Sequence, residues 1–304
     1  MRTQALIGTT LLALTLASNA YGQEEDLLSQ VNTDSSRKEY ITAAFKSTRV
    51  IMSHSLEMLK PGVLDFRILH RFGTLNSGIS NLFGLDDASI RLGLDYGITR
   101  NLTVGLGRTS VNPRKDADAF VKYRLLQQTT GIRSRPFSLL AVAGTTMQTA
   151  EWADKSRDNH FSSRVGYYGQ IILGRKFSEA LSLQLVPTVV HRNLVPTTRD
   201  DNDTYALGAG GRLKLSNRIS LNADYYYVFN KDESLTTYNP LSIGFDIETG
   251  GHVFQLHFSN AVGMNERSFV TETTGDWGDG DIQFGFNISR VFHLKKKKER
   301  VPTE

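Results

Sequence analysis

The chain of 304 residues contains no cysteine. That absence excludes disulfides, thiolate metal sites, cysteine nucleophiles and a lipoprotein anchor. Proline is scarce, at seven residues against 26 glycines, a balance that suits tight turns and close strand packing. Long apolar runs are missing as well. After Ala5–Ala17 no stretch of about 18 apolar residues occurs, so no helix of the mature chain is expected to span a bilayer. Nor is there a broad excess of one charge. The net charge is +4, and Lys295–Arg300, with five basic residues and one Glu, accounts for all of it. The basic balance therefore gives no reason to expect nucleic acid, and basic and aromatic residues do not cluster as base stacking requires.

What is present begins with a processing signal over residues 1–22. Arg2 supplies the positive start and Ala5–Ala17 an apolar core of secretory length. Small-x-small sites at Ser18–Ala20 and Ala20–Gly22 follow, the second leaving Gln23 as the mature N-terminus. Residues 23–61 lack a regular pattern and read as a periplasmic lead-in or a plug entering a lumen.

From Gly62 the pattern is regular. In Ala88–Arg108, Ile90, Leu92, Leu94 and Tyr96 alternate with Ser89, Arg91, Gly93 and Asp95, and Leu102, Val104 and Leu106 with Thr103, Gly105 and Gly107. This is a hairpin with one apolar and one polar face. Twelve such strands are predicted between residues 62 and 293, near 63–72, 88–97, 102–110, 118–126, 137–147, 163–177, 180–192, 204–215, 218–229, 240–249, 252–260 and 281–293. Tight turns at 98–101, 178–179, 216–217 and 250–251 alternate with mostly longer polar loops, among them 111–117, 148–162 and 261–280. Short turns on one side and long loops on the other predict an all-β transmembrane antiparallel barrel of about twelve strands. Aromatic residues near strand ends, including Tyr96, Tyr123, Phe177, Tyr225–Tyr227 and Phe229, suit the headgroup level. Residues 294–304 form a basic C-terminal tail.

Phe45–Val50 (FKSTRV), Gly62–Gly73 (GVLDFRILHRFG), Phe83–Ile98 (FGLDDASIRLGLDYGI) and Lys122–Leu126 (KYRLL) resemble an uncharacterised family of bacterial outer-membrane β-barrels. The resemblance covers most of the mature chain. It implies the barrel fold and an outer-membrane location, and carries no catalytic residues. The last strand, with Phe284, Phe286, Ile288 and Phe292 alternating, also resembles the signal read by the outer-membrane assembly machinery. The chain departs from that pattern by continuing into HLKKKKERVPTE. The expected partners are thus outer-membrane lipids and the assembly machinery, with no nucleic acid and no cofactor.

Charges within the strands are expected to face the lumen, because Arg or Lys facing lipid at midplane costs ~2–4 kcal/mol. The predicted lining is Asp65, Arg67, Arg71, Arg91, Asp95, Lys122, Arg124, Arg164, Arg212, Lys214, Asp224, Asp246 and Glu248. Eight are basic and five acidic. Such a lining serves either a narrow pore with a mild anion preference or an interior locked by ion pairs. His257 and Ser259 offer a base beside a hydroxyl, as in outer-membrane phospholipase A, itself a twelve-stranded barrel. Here Phe254, Leu256 and Phe258 take the lipid face, so the pair points away from lipid, and no third group orients His257. The acidic loops around Asp200–Asp203 and Asp276–Asp281 lack EF-hand spacing and read as solvated surface. The residues favour a non-enzymatic barrel, with a membrane hydrolase and a non-conducting, partner-binding barrel as alternatives.

Overall fold

A computed structural model describes residues 38–111, 114–131, 133–152 and 154–294. The expected signal peptide, residues 23–37 and the tail beyond Leu294 lie outside the described residues.

Twelve strands close into one antiparallel barrel. They are β1 (Val63–Thr74), β2 (Ala88–Gly97), β3 (Leu102–Val111), β4 (Arg114–Leu126), β5 (Ser138–Gln148) and β6 (Val165–Lys176). The second half holds β7 (Leu181–Arg192), β8 (Asp203–Lys214), β9 (Ile219–Val228), β10 (Leu241–Thr249), β11 (His252–Ser259) and β12 (Gln283–His293). Each strand pairs with its neighbours in sequence, and β12 pairs with β1, Ile288 opposite Ile68, to close the ring. The closed ring leaves no strand edge unpaired.

The period of two sets the faces. Along β7, Leu181, Leu183 and Leu185 are exposed while Ser182, Gln184 and Val186 are buried. In the hairpin of β2 and β3, Leu94 lies opposite Leu106, both outward, and Asp95 opposite Gly105, both inward. The outer band of large apolar residues is far more than a water-soluble chain leaves bare. No helix among the described residues is long and apolar enough to cross a membrane, so crossing falls to the strands.

Connections differ between the two ends. One end carries the tight turns, including Gly250 (φ +43°) and Gly251 (φ +126°), whose two-residue hairpin needs positive φ. The other end carries the long loops. The last of these, between β11 and β12, contains α1 (Glu266–Thr271), capped by Asn265, whose side chain accepts from the Ser268 N–H at 2.9 Å.

Two local readings differ from expectation, and one ladder is interrupted. Val111 and residues 114–117 of the expected loop are strand. β4 begins at Arg114, because Asp116 and Asp118 continue its inward polar face as far as Gln148 and Thr146 of β5. Tyr226 is fully buried, unlike Tyr225 and Tyr227, as its place between two outward residues demands. The ladder of β6 and β7 skips Ile171 and Ile172 opposite Pro187 and Val186, since proline brings no N–H.

A second, smaller unit includes residues 38–41 and 128–131. Glu39–Tyr40 pairs antiparallel with Thr129–Thr130, and the Ile41 N–H donates to Gln128 O at 2.9 Å.

Candidate functional site: the filled lumen

The lumen is occupied by the protein's own chain. Residues 42–60, just before β1, turn back on themselves inside the barrel. Val50 N–H donates to Ser53 O and Ser55 N–H to Thr48 O, both at 2.9 Å, with Arg49 and His54 bridged across the turn. Val50–Ser53 form the tip.

Asp224 of β9 grips that tip. Its Oδ2 accepts the backbone N–H groups of Ile51 (3.3 Å), Met52 (2.9 Å) and Ser53 (3.0 Å) and the Ser53 hydroxyl (3.0 Å). The wall also donates to the segment's carbonyls. Gln184 reaches His54 O at 2.7 Å, Gln255 reaches Val50 O at 2.7 Å, and Asn287 reaches Ile51 O at 3.1 Å. Lys122 donates to Glu57 O at 2.7 Å, and Arg212 to Ala43 O and Ala44 O at 2.9 and 2.8 Å. A backbone with no room for a full ladder thus has its polar groups met by side chains.

The wall is divided. On one side Phe45, Val50, Ile51, Met52 and Leu56 pack in a single apolar cluster with Leu140, Val142, Ile172, Val186, Val190 and Tyr226. On the other side the wall is charged. Arg91 pairs with Asp118, its Nε and Nη2 donating at 2.9 and 2.5 Å. Arg67 Nη1 donates to Asp65 (3.2 Å) and to the hydroxyls of Ser47 (3.0 Å) and Thr48 (2.6 Å).

α1 meets the segment from the long-loop end. Glu266 accepts from Arg49 at 2.7 Å and lies 3.3 Å from His54 Nε2, with all three side chains 1% exposed. Phe269 of the same helix packs on Tyr226, ring centroids 5.1 Å apart. The lumen is filled from both ends, and the two fillings touch.

The predicted lining residues divide accordingly. Asp65, Arg67, Arg71, Arg91, Asp95, Lys122, Arg212, Asp224 and Asp246 are buried on the inner wall. Arg124 and Lys214 are half-buried near the turn end, and Glu248 is exposed there, paired with Lys46. Arg164 departs from expectation. It lies in a short helical turn before β6, stacked on Trp152 at 4.1 Å, because its guanidinium caps the carbonyls of Gln148 and Ala150 at the rim.

His257 and Ser259 are both buried, and the structure does not join them. Neither ring nitrogen of His257 has a hydrogen-bond partner, whereas the Ser259 hydroxyl accepts from Ser242 Oγ (2.8 Å) and Ala261 N–H (3.0 Å). The acidic loops are braced by their own neighbours. Asp200 accepts from Thr197 and Ser234, and Asp281 from Asn76 at 2.6 Å.

Glu266, Asp118 and the apolar inner wall were not anticipated from sequence. Their signal is there for the wall. Leu139–Val142 and Gln170–Leu173 lose the strict alternation that a solvated lumen would keep, as strands buried on both faces do.

A closed ring of outwardly apolar strands, with no long apolar helix among the described residues, defines a membrane-spanning β-barrel. The chain belongs to the family Membrane bound beta barrel domain (DUF5777), which it matches over residues 45–292. The match takes in the luminal segment as well as the ring. No curated protein matches the sequence. Among solved structures, the chain is similar to the KdgM porin, at 9% identity and TM-score 0.48, covering 76% of this chain and 99% of that one. An outer membrane channel from Pseudomonas putida F1 is similar at 14% identity and TM-score 0.45, covering 78% and 98%. Outer membrane phospholipase A from Escherichia coli is similar at 13% identity and TM-score 0.41, covering 82% and 100%. The family match, rather than these distant likenesses, places the chain among membrane-bound barrels.

Proposed function

We propose that this is an outer-membrane barrel held shut by residues 42–57, which opens a narrow path for small polar solutes when that segment withdraws. Short turns then face the periplasm and long loops the exterior. The apolar outer band meets outer-membrane lipid, and the assembly machinery inserts the barrel.

One observation carries the reading. The segment is tied to the wall through hydrogen bonds of its own backbone, its N–H groups donating to Asp224 and its carbonyls accepting from Lys122, Arg212, Gln255 and Asn287. Such bonds exchange for water, at a net ~0.5–1.5 kcal/mol each for the neutral Gln255 and Asn287 and ~1.5–3 kcal/mol for the charged groups. Of the wall left behind, the side that carries Arg67, Arg91, Lys122 and Asp118 is the charged lining that an aqueous path needs, facing the apolar side.

The test uses the absence of native cysteine. An ideal Cβ at Gly210 of β8 lies 3.3 Å from Val50 Cγ2, close enough for an engineered bridge. Planar-bilayer recordings of Val50→Cys/Gly210→Cys are expected to show openings when reduced and none when oxidised. A wild-type protein silent at all voltages, with Asp224→Asn equally silent, overturns the proposal in favour of a non-conducting barrel.

A further inference from the structure

A second concavity lies at the long-loop end, beyond the filled lumen. It has a volume of about 460 Å³ and lies among the ends of β5–β7 and the loops 193–202, 229–240 and 260–282. Its lining includes the charged residues Arg164, Arg192, Asp232, Arg267 and Glu272 beside the apolar Leu194 and Leu235.

Four of its charged groups are already neutralised in two pairs. Arg192 holds Asp232 in a two-bond fork at 2.7 and 2.5 Å, and Arg267 Nη1 donates to Glu272 at 3.0 Å. Arg164 is different. Its Nη1 is fixed by the carbonyls of Gln148 and Ala150, and its plane lies over Trp152. No carboxylate among the described residues is paired with it. Arg192 adds a buried Nε that has no partner. Across the cavity Leu194 and Leu235 supply an apolar wall.

We infer that this concavity is a binding site for a small organic anion, its carboxylate on Arg164 and its apolar portion against Leu194 and Leu235. A guanidinium presents several N–H donors in a plane, and two carbonyls on one nitrogen leave the remaining donors to take a carboxylate. The two internal ion pairs keep the rest of the site neutral, so the uncompensated charge is that of Arg164. Among the described residues, the guanidinium groups of Arg164 and Arg192 make their hydrogen bonds to Gln148, Ala150, Asp201 and Asp232, outside residues 42–60.

Trp152 reports on it. Trp277 is the other tryptophan of the chain. The full-length Trp277→Phe protein in detergent is titrated with 3-methylbutanoate, with 3-methylbutanol and sodium chloride as controls. A saturable change in Trp152 emission with the carboxylate, absent with the alcohol and the chloride, is expected. Calorimetry of the same titration is expected to show binding at least tenfold weaker in Arg164→Gln and partly retained in Arg164→Lys. A response shared by the alcohol, or unchanged affinity in a folded Arg164→Gln protein, overturns the site.

Discussion

Arg49 and Glu266 meet at 2.7 Å in the middle of the lumen, each 1% exposed, one from the N-terminal segment and one from α1. Removing one partner of a buried pair strands the other, at a cost of about 3–5 kcal/mol. Glu266→Gln is therefore expected to loosen the segment sharply, and Arg49→Met/Glu266→Met to loosen it less than the single change. Amide exchange of residues 48–55 measures both. Equal exchange in the two variants would show that the pair does not hold the segment.

Asp224 accepts four hydrogen bonds from the tip of the segment on one oxygen. Asp224→Asn keeps the shape and loses the charge, and each bond to a charged acceptor is worth ~1.5–3 kcal/mol. Faster exchange at Ile51, Met52 and Ser53 is expected, with strand amides on the opposite wall unchanged.

Glycines of β3 make room for large inner side chains. A Cβ at Gly107 would stand 2.2 Å from Arg91 Nη2, and one at Gly105 2.2 Å from Phe120 Cε1, while one at outward-facing Gly169 meets nothing closer than 3.5 Å. Gly107→Ala is expected to push Arg91 off Asp118 and lower the unfolding midpoint in urea. Gly169→Ala should leave it within experimental error.

The outer face gives a depth-dependent prediction. Leu94 and Leu106 are paired outward residues, 47% and 63% exposed. Leu94→Arg is expected to cost ~2–4 kcal/mol in reversible folding into lipid vesicles, as for a charge near the bilayer midplane. Arg at Ser110, near the long-loop end of β3, should cost less than ~1 kcal/mol.

The loop carboxylate Asp200 supplies a pH prediction. The Ser234 hydroxyl, with further help from the Ser234 N–H and from Thr197, holds it well below the usual carboxylate range. A depressed folded value means that its contribution is full above the unfolded value, near pH ~4, and is lost as pH falls through the folded one. The 193–202 and 229–240 loops should thus resist proteolysis by an acid protease at pH 4 and yield only in stronger acid. Ser234→Ala should move that loss to higher pH.

The ring was legible because lipid enforces the alternation. Leu92, Leu94 and Leu106 on one face with Arg91 and Asp95 on the other leave one register open. The filling of the lumen was not legible in the same way. Inward residues answer to a segment far away in sequence, so the contacts of Arg49 with Glu266 and of Asp224 with Met52 follow no local period. Arg164 was misplaced for a related reason. Its parity agrees with the inner face of β6, but the strand starts one residue later, and the side chain turns to the carbonyls of Gln148 and Ala150.

Asn287 sits on the last strand and reaches both Ile51 of the luminal segment and, by accepting from Arg71, the first strand. One residue away along the same inner face, Ser289 donates to Asp65 at 2.6 Å. β12 therefore supplies stitches both for β1, with which it closes the ring, and for the luminal segment. Closing the seam thus also adds a tie to the luminal segment, and a barrel that lacks β12 is open along its side and short of that tie.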